Sequence, residues 1–233
     1  MKFTPPLTSA KLLKRYKRFL ADVQFDDGTE TTAHCANPGS MMGLAEPGST
    51  VWLSKSDNPK RKLAWSLELV DDGNSLVGVH TGKANALVEA AIDSGTVPEL
   101  AGYEILRREV KYGENSRIDL LLEDPGRPTA YVEVKSVTLS RTKGLAEFPD
   151  SKTARGAKHM SELAEMARQG HRAVVFFLVQ RSDCTSMQPA ADIDPKYAES
   201  LKAAVAAGVE VICYSCRLSP GEITLDRRLE VDI

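Results

Sequence analysis

Two short segments, residues 116–122 and 130–137, constrain this chain more than any other part of it. They read Ser116-Arg117-Ile118-Asp119-Leu120-Leu121-Leu122 and Ala130-Tyr131-Val132-Glu133-Val134-Lys135-Ser136-Val137, with Asp124-Pro125-Gly126 between them. Short apolar-alternating runs around a Pro/Gly turn predict two adjacent strands. Positions two apart in a strand share a face, so Glu133 and Lys135 project together while Val132 and Val134 project the other way. Paired as a hairpin, the strands bring Asp119 beside Glu133. Two carboxylates and one ammonium then sit on one face of an otherwise apolar sheet.

That combination has a chemical use. Neighbouring carboxylates repel each other unless a cation lies between them. Hard oxygen ligands suit Mg²⁺ or Mn²⁺. A lysine two residues along would position and polarise an attacking water, while the metal lowers that water's pKa and neutralises phosphate charge. E-x-K is also a frequent tripeptide, and Glu and Lys alternating with Val equally describes a half-exposed strand with solvated charges. Asp119, one strand away, weighs toward the chemical reading. The D…E-x-K pattern resembles the signature of the PD-(D/E)xK nuclease fold, with Ile118 where the name-giving pattern has Pro.

Length and charge set the bounds. A chain of 233 residues makes one large or two small domains. A formal net charge of −2 gives no global signal for nucleic acid, so such a surface has to come from local clusters. No stretch is apolar enough to span a bilayer, and Met1-Lys2-Phe3-Thr4-Pro5-Pro6 lacks a signal-peptide core, so a cytoplasmic location and no membrane partner are expected. Cys213-Tyr214-Ser215-Cys216 has C-x-x-C spacing without a second pair or a nearby His. Buried strand cysteines are expected there, rather than a zinc or redox site.

Residues 1–82 predict an all-β domain. Strands are expected over 16–25, 30–35, 50–54, 63–69 and 75–79, with turns at Asp26-Asp27-Gly28 and Asp71-Asp72-Gly73-Asn74. Five short strands suggest a small OB-like barrel, a fold that commonly binds oligonucleotides. Lys11, Lys14, Arg15, Lys17 and Arg18 cluster around Tyr16 and Phe19, and Lys55, Lys60, Arg61 and Lys62 precede Trp65. Such mixtures suit a phosphate backbone and stacked bases, or form a solvated face with the aromatics turned inward. His34-Cys35-Ala36-Asn37-Pro38-Gly39-Ser40-Met41 contains a tight turn that is either structural or an anion-binding loop.

Residues 83–233 predict an α/β domain. A helix over 84–94 carries Asn85 and Glu89 on one face. A strand over 103–112 precedes the two already described, and a polar loop is expected over 140–150. The helix over 153–168 sets Arg155, Lys158, His159 and Glu162 at i, i+3, i+4 and i+7, one face that grips a phosphate or is simply solvated. The run Ala173–Val179 predicts a central strand buried on both faces. A further helix opens at Asp194-Pro195, and a last buried strand covers 209–214.

The whole chain resembles the sugar fermentation stimulation protein family of bacteria and archaea. The resemblance rests on residues 34–41, Glu109-Val110-Lys111-Tyr112-Gly113, Ser116-Arg117-Ile118-Asp119, Tyr131-Val132-Glu133-Val134-Lys135, Phe148-Pro149-Asp150, Arg155-Gly156-Ala157-Lys158-His159 and Val179-Gln180-Arg181. It implies an N-terminal OB-like domain, a C-terminal nuclease-like domain, non-specific DNA binding and a regulatory link to sugar, chiefly maltose, metabolism. In PD-(D/E)xK nucleases an acidic residue of the first helix often joins the metal, and by position that is Glu89. Two functions follow as expectations. One is a Mg²⁺- or Mn²⁺-dependent nuclease with ligands Asp119, Glu133 and Glu89 and with Lys135 orienting the water. The other is a DNA-binding regulatory protein without turnover. In both, Arg117, Arg155, Lys158, His159, Lys14, Arg15 and Arg18 are the candidate nucleic-acid contacts, and a homodimer would matter for cutting both strands.

Overall fold

The computed structural model describes residues 1–113 and 116–233. Six strands form the first sheet: β1 (Thr8–Tyr16), β2 (Leu20–Gln24), β3 (Glu30–Cys35), β4 (Thr50–Lys55), β5 (Trp65–Asp71) and β6 (Leu76–Gly78). Their order is β3-β2-β1-β4-β5-β6, and β3 also pairs with β5 in parallel through His34–Ser66 and Cys35–Leu67. That pairing closes β1 to β5 into a five-stranded OB-type barrel and leaves β6 appended. Leu12, Val23, Ala33, Val51, Leu53 and Leu67 fill its interior.

The strand expected over 16–25 is a hairpin instead. Lys17 and Arg18, with φ of 48° and 62°, reverse the chain between β1 and β2. Non-glycine residues rarely take that conformation, so the sequence carries no turn signal there. Barrel residues also begin later than position 1. Lys2 bridges to Glu222, and Phe3 and Leu7 are buried in the core of the second domain.

A 3-10 turn at Thr81–Lys83 leads into that domain. Its elements are α1 (Ala84–Asp93), β7 (Ile105–Tyr112), β8 (Ser116–Glu123), β9 (Ala130–Val137), β10 (Leu139–Thr142), β11 (Leu145–Phe148) and α2 (Ala154–Arg168). There follow β12 (Arg172–Val179), β13 (Ser186–Pro189), α3 (Pro195–Ala206), β14 (Glu210–Leu218), β15 (Ile223–Arg228) and β16 (Glu230–Val231). The main sheet runs β15-β14-β12-β9-β8-β7, antiparallel through β7, β8 and β9 and parallel through β9, β12 and β14. Central β12 is covered on both faces. Val174 and Phe176 pack with Leu87 and Val88 of α1, and Val175 and Phe177 pack with Met160 and Leu163 of α2. Asp194 caps α3 by accepting from Tyr197 N–H, and it also accepts from Thr153 N–H at the start of α2, which ties the two helix starts together.

The expected polar loop over 140–150 is the β10–β11 hairpin, whose β11 pairs with β13. Its Arg141 is fixed by Glu147 at 2.7 Å and Asp192 at 2.6 Å. Arg181, at the end of β12, reaches the barrel and donates to Asp72 at 2.7 Å. All four cysteines are buried free thiols; Cys213 and Cys216 belong to different core clusters, and burial pushes the Cys213 thiol up to about 12. Among the described residues, no helix is long and apolar enough to cross a membrane.

Candidate nuclease-like site

The β8–β9 ladder holds through Leu122–Ala130, Leu121–Tyr131 and Leu120–Val132, and ends there. One residue further on, the Asp119 side chain replaces the ladder. Its Oδ2 accepts the Val134 N–H at 2.7 Å, and its Oδ1 accepts from Asn85 Nδ2 of α1 at 2.9 Å. The core pattern changes at this point. Leu120 and Leu122 lie in the cluster under α1, while Ile118 joins Leu121 in the cluster under α2. Asp119 thus sits where two strands part, with its carboxylate turned across to β9.

Glu133 and Lys135 follow on β9, on one face as the strand period requires. Lys135 Nζ donates to Glu133 Oε1 at 2.7 Å. His159, one turn into α2 and buried, meets the same oxygen through Nδ1. On the ring's far side, Arg155 Nε donates to His159 Nε2 at 3.2 Å. A guanidinium only donates, so Nε2 is the accepting nitrogen and the ring proton sits on Nδ1, facing Glu133. The other Glu133 oxygen, Oε2, is buried with no partner.

The electrostatics follow from this layout. Burial pushes the Asp119 carboxyl up to about 6, with the Glu133 charge adding to the effect against the bonds from Val134 and Asn85. Burial works on Glu133 too, but the bond from His159 and the charge and bond of Lys135 outweigh it and hold that carboxyl below its usual range. Burial, with Glu133, Glu162 and Asp119 nearby, raises the Tyr112 phenol well above its ordinary value. Among the described residues, no three His, Cys, Asp or Glu side chains form a metal-binding group on their own. The fit to a cation rests instead on two features: a carboxylate oxygen buried without a partner, and a second carboxylate whose ionisation that charge opposes.

The remaining candidates land as follows. Asn85, one turn ahead of Glu89, is the α1 residue that reaches Asp119; Glu89 is engaged in an ion pair by Arg108 of β7. The α2 row does share one face, but its members differ. Arg155 is exposed, Lys158 is exposed and 3.5 Å from Glu162, and His159 is committed to Glu133 rather than open to a phosphate. Arg117 is exposed and donates to Glu109 O at 3.2 Å. Lys14 lies 3.4 Å from Asp22 and over the Tyr16 ring. Arg15 is a staple, donating to the carbonyls of Arg18, Asn37, Gly39 and Ser40. The second basic cluster lies at the other end of the barrel, where Lys55 pairs with Trp65 and Trp65 meets Phe25.

A cleft of about 590 Å³ separates barrel from sheet, lined by Arg18, Asn37, Gly39, Lys135, Asp150 and Lys152 among others. The Asn-Pro-Gly loop forms one wall. It does hold an anion, but that anion is the protein's own: Met41 N–H donates to Asp150 Oδ2 at 3.0 Å, and Ser40 Oγ donates to Asp150 O at 2.7 Å. Gly39 lies so close that a Cβ there would land on the Asp150 carboxylate. Asn85 was identifiable from the sequence only as a neighbour of Glu89, and nothing local marked the Asp150 latch.

A closed OB barrel followed by a mixed sheet, with Asp119 and the Glu-x-Lys pair where two strands part, defines a two-domain protein of OB-barrel and α/β architecture. The family model for the sugar fermentation stimulation protein RE domain matches residues 82–222, and that for the SfsA N-terminal OB domain matches 13–79. The sugar fermentation stimulation protein homolog of Paramagnetospirillum magneticum is 58% identical over 100% of this chain and 98% of its own. The Maricaulis maris homolog is 54% identical over 100% and 99%. Pyrococcus furiosus SfsA, solved in complex with Ca²⁺, superposes with a TM-score of 0.91 at 30% identity, over 100% of this chain and 98% of that one. The chain belongs to the sugar fermentation stimulation protein family.

Proposed function

We propose that this protein binds DNA, without reading its sequence, in the cleft between barrel and sheet, and hydrolyses phosphodiester bonds with Mg²⁺ or Mn²⁺. One observation carries the reading: the orphaned Glu133 oxygen, held in place by Lys135 and His159 and electrostatically coupled to Asp119. A protein that only bound a polyanion would gain nothing from a buried and a half-buried carboxylate beside its cleft. The Ca²⁺ bound to the Pyrococcus furiosus relative supports a divalent-ion site in this one.

Asp119 and Glu133 would hold the ion. Glu89 joins them only by leaving Arg108. Such an ion, when bound, lowers the pKa of a coordinated water and offsets charge on the phosphate. Lys135 has one bond to Glu133 and lines the cleft, so its remaining N–H donors orient the water and the scissile phosphate oxygen. His159 fixes the Glu133 rotamer from behind. Arg18, Lys14, Arg117, Arg155 and Lys158 offer phosphate contacts, and Arg15 holds the loop on which the cleft wall depends. Among the described residues no helix-turn-helix reader accompanies these groups, in keeping with binding that ignores sequence, and a cytoplasmic setting fits this chemistry.

The test is cleavage of labelled DNA with Mg²⁺, with Mn²⁺ and with EDTA, beside Lys135→Ala and Asp119→Ala. The expected result is metal-dependent hydrolysis lost in both variants. DNA binding with no hydrolysis under any ion, equal in all three proteins, overturns the catalytic reading and leaves the regulatory DNA-binding function, the family's link to sugar metabolism included.

A further inference from the structure

Two large apolar side chains open to solvent, Phe19 at 44% and Met42 at 49% exposure, lie close in sequence to the cleft-lining Arg18 and Asn37–Gly39. They bracket the loop that Arg15 staples. Phe19 is not a stray residue of a loose turn. Its N–H bonds to Lys17 O at 2.7 Å, and its carbonyl accepts from Cys35 N–H at 2.9 Å. The backbone therefore fixes the ring outside the core. One side of the ring is backed by His34, with centroids 6.3 Å apart and planes within 20° of parallel. Arg18, its neighbour in sequence, lines the cleft, and so does Asn37, three residues beyond His34.

The other aromatics near the basic clusters are already occupied. Tyr16 donates to Asp22 and lies under Lys14, and Trp65 packs on Phe25 at the far end of the barrel. Among the described residues, Phe19 alone combines exposure, a fixed backbone, a ring behind it and cations beside it. A rigid exposed ring next to basic groups stacks a nucleobase while the charges follow the backbone. The β1–β2 loop is also one of the positions OB barrels use for oligonucleotides. Bases in a duplex are stacked on each other and present no free face, so the ligand has to bring an unpaired one.

We infer that Phe19, backed by His34, is a stacking platform for a base of single-stranded nucleic acid, whose backbone passes Arg18 into the cleft toward Lys135. This rests on the nucleic-acid reading of the cleft and names its substrate class. The test is fluorescence anisotropy in EDTA, where no hydrolysis interferes, with a labelled single-stranded oligodeoxynucleotide of about 12 nucleotides, within the reach of one OB barrel. A blunt duplex of the same sequence runs beside it.

Phe19→Ala is expected to weaken single-strand binding about tenfold, as loss of one stacked base does. Duplex binding and the salt dependence stay as in the wild type, because no phosphate contact is lost. Phe19→Trp is expected to keep the affinity, and its fluorescence should be quenched by the single strand. Arg18→Ala is expected to lower the salt slope instead. A Phe19→Ala protein that binds the single strand as the wild type does, or that loses both ligands equally, overturns the platform. Wild-type binding confined to the duplex overturns it while leaving the DNA cleft intact, and binding of neither ligand overturns both.

Discussion

Arg155 donates to His159 Nε2 at 3.2 Å, and His159 meets Glu133 Oε1 through Nδ1. The exposed guanidinium thereby sets the ring tautomer that faces a buried carboxylate. Support of this kind behind a metal-binding carboxylate typically matters by 10- to 100-fold in affinity, so His159→Ala is expected to weaken Mn²⁺ binding by about tenfold or more. His159→Asn keeps a side-chain donor of similar reach and should recover part of the loss. Titration calorimetry of Mn²⁺ into each protein reads the difference. Equal affinity in all three proteins would reduce His159 to core packing.

Asp119 gives the site a pH signature. Its carboxyl rises from 3.8 to about 6, so the folded state holds the proton more tightly than the unfolded chain does. The stability this group contributes is therefore full below about 4 and is lost as pH rises through about 6, on the order of 3 kcal/mol at most. Glu133 has the opposite sign: its depressed pKa contributes stability above its unfolded value, which is lost on acidification. Asp119→Asn isolates the first effect. Urea unfolding without metal should show the variant gaining on the wild type across pH 4 to 6 and holding that gain at pH 7. Excess Mg²⁺ should reverse the order at pH 7, because the ion stabilises only the protein that binds it. Parallel pH profiles for the two proteins would contradict the raised carboxyl.

Asn85 and Glu89 make separable claims on the first helix. Asn85 holds Asp119 Oδ1 at 2.9 Å, whereas Glu89 is paired with Arg108. Asn85→Ala is expected to weaken Mn²⁺ binding by about tenfold, as loss of a carboxylate's supporting bond does. Glu89→Gln should leave it unchanged. Loss of binding in Glu89→Gln, read by the same calorimetry, would restore Glu89 to the metal set.

Much of this was legible because the signals were local. Alternation put Glu133 and Lys135 on one face with Asp119 on the neighbouring strand, and the unbroken run Ala173–Val179 marked β12 as the centre of the sheet. β1 was missed because Lys11, Lys14 and Arg15 mask the inward Ala10 and Leu12, and because its turn uses Lys17 and Arg18 rather than Gly or Asn. The β10–β11 hairpin was missed because four-residue strands around Lys143-Gly144 are too short to show a period. Helical spacing put Arg155, Lys158 and His159 on one face, but spacing is the same for a face turned to water as for one turned to Glu133. Arg15 looked like a phosphate contact because a count of charge cannot show that four carbonyls already accept its bonds.

The Gly39–Asp150 contact is invisible in sequence for another reason: its partners are over a hundred positions apart. It holds the wall of the cleft, since the Asp150 carboxylate accepts from Met41 N–H while lying against Gly39. A Cβ at position 39 has to displace that carboxylate, so Gly39→Ala is expected to cost about 1–3 kcal/mol, the range for overpacking a tight contact. Asp150→Ala alone loses the bond to Met41 but leaves room for the Cβ. The double variant should then be more stable than the sum of the two single costs predicts, a coupling that independent sites do not show. Urea unfolding of the four proteins measures it. Simple additivity would mean that the loop and the Asp150 carboxylate do not act as one latch, and that the cleft wall is held by Arg15 and the Asn37–Val79 bond instead.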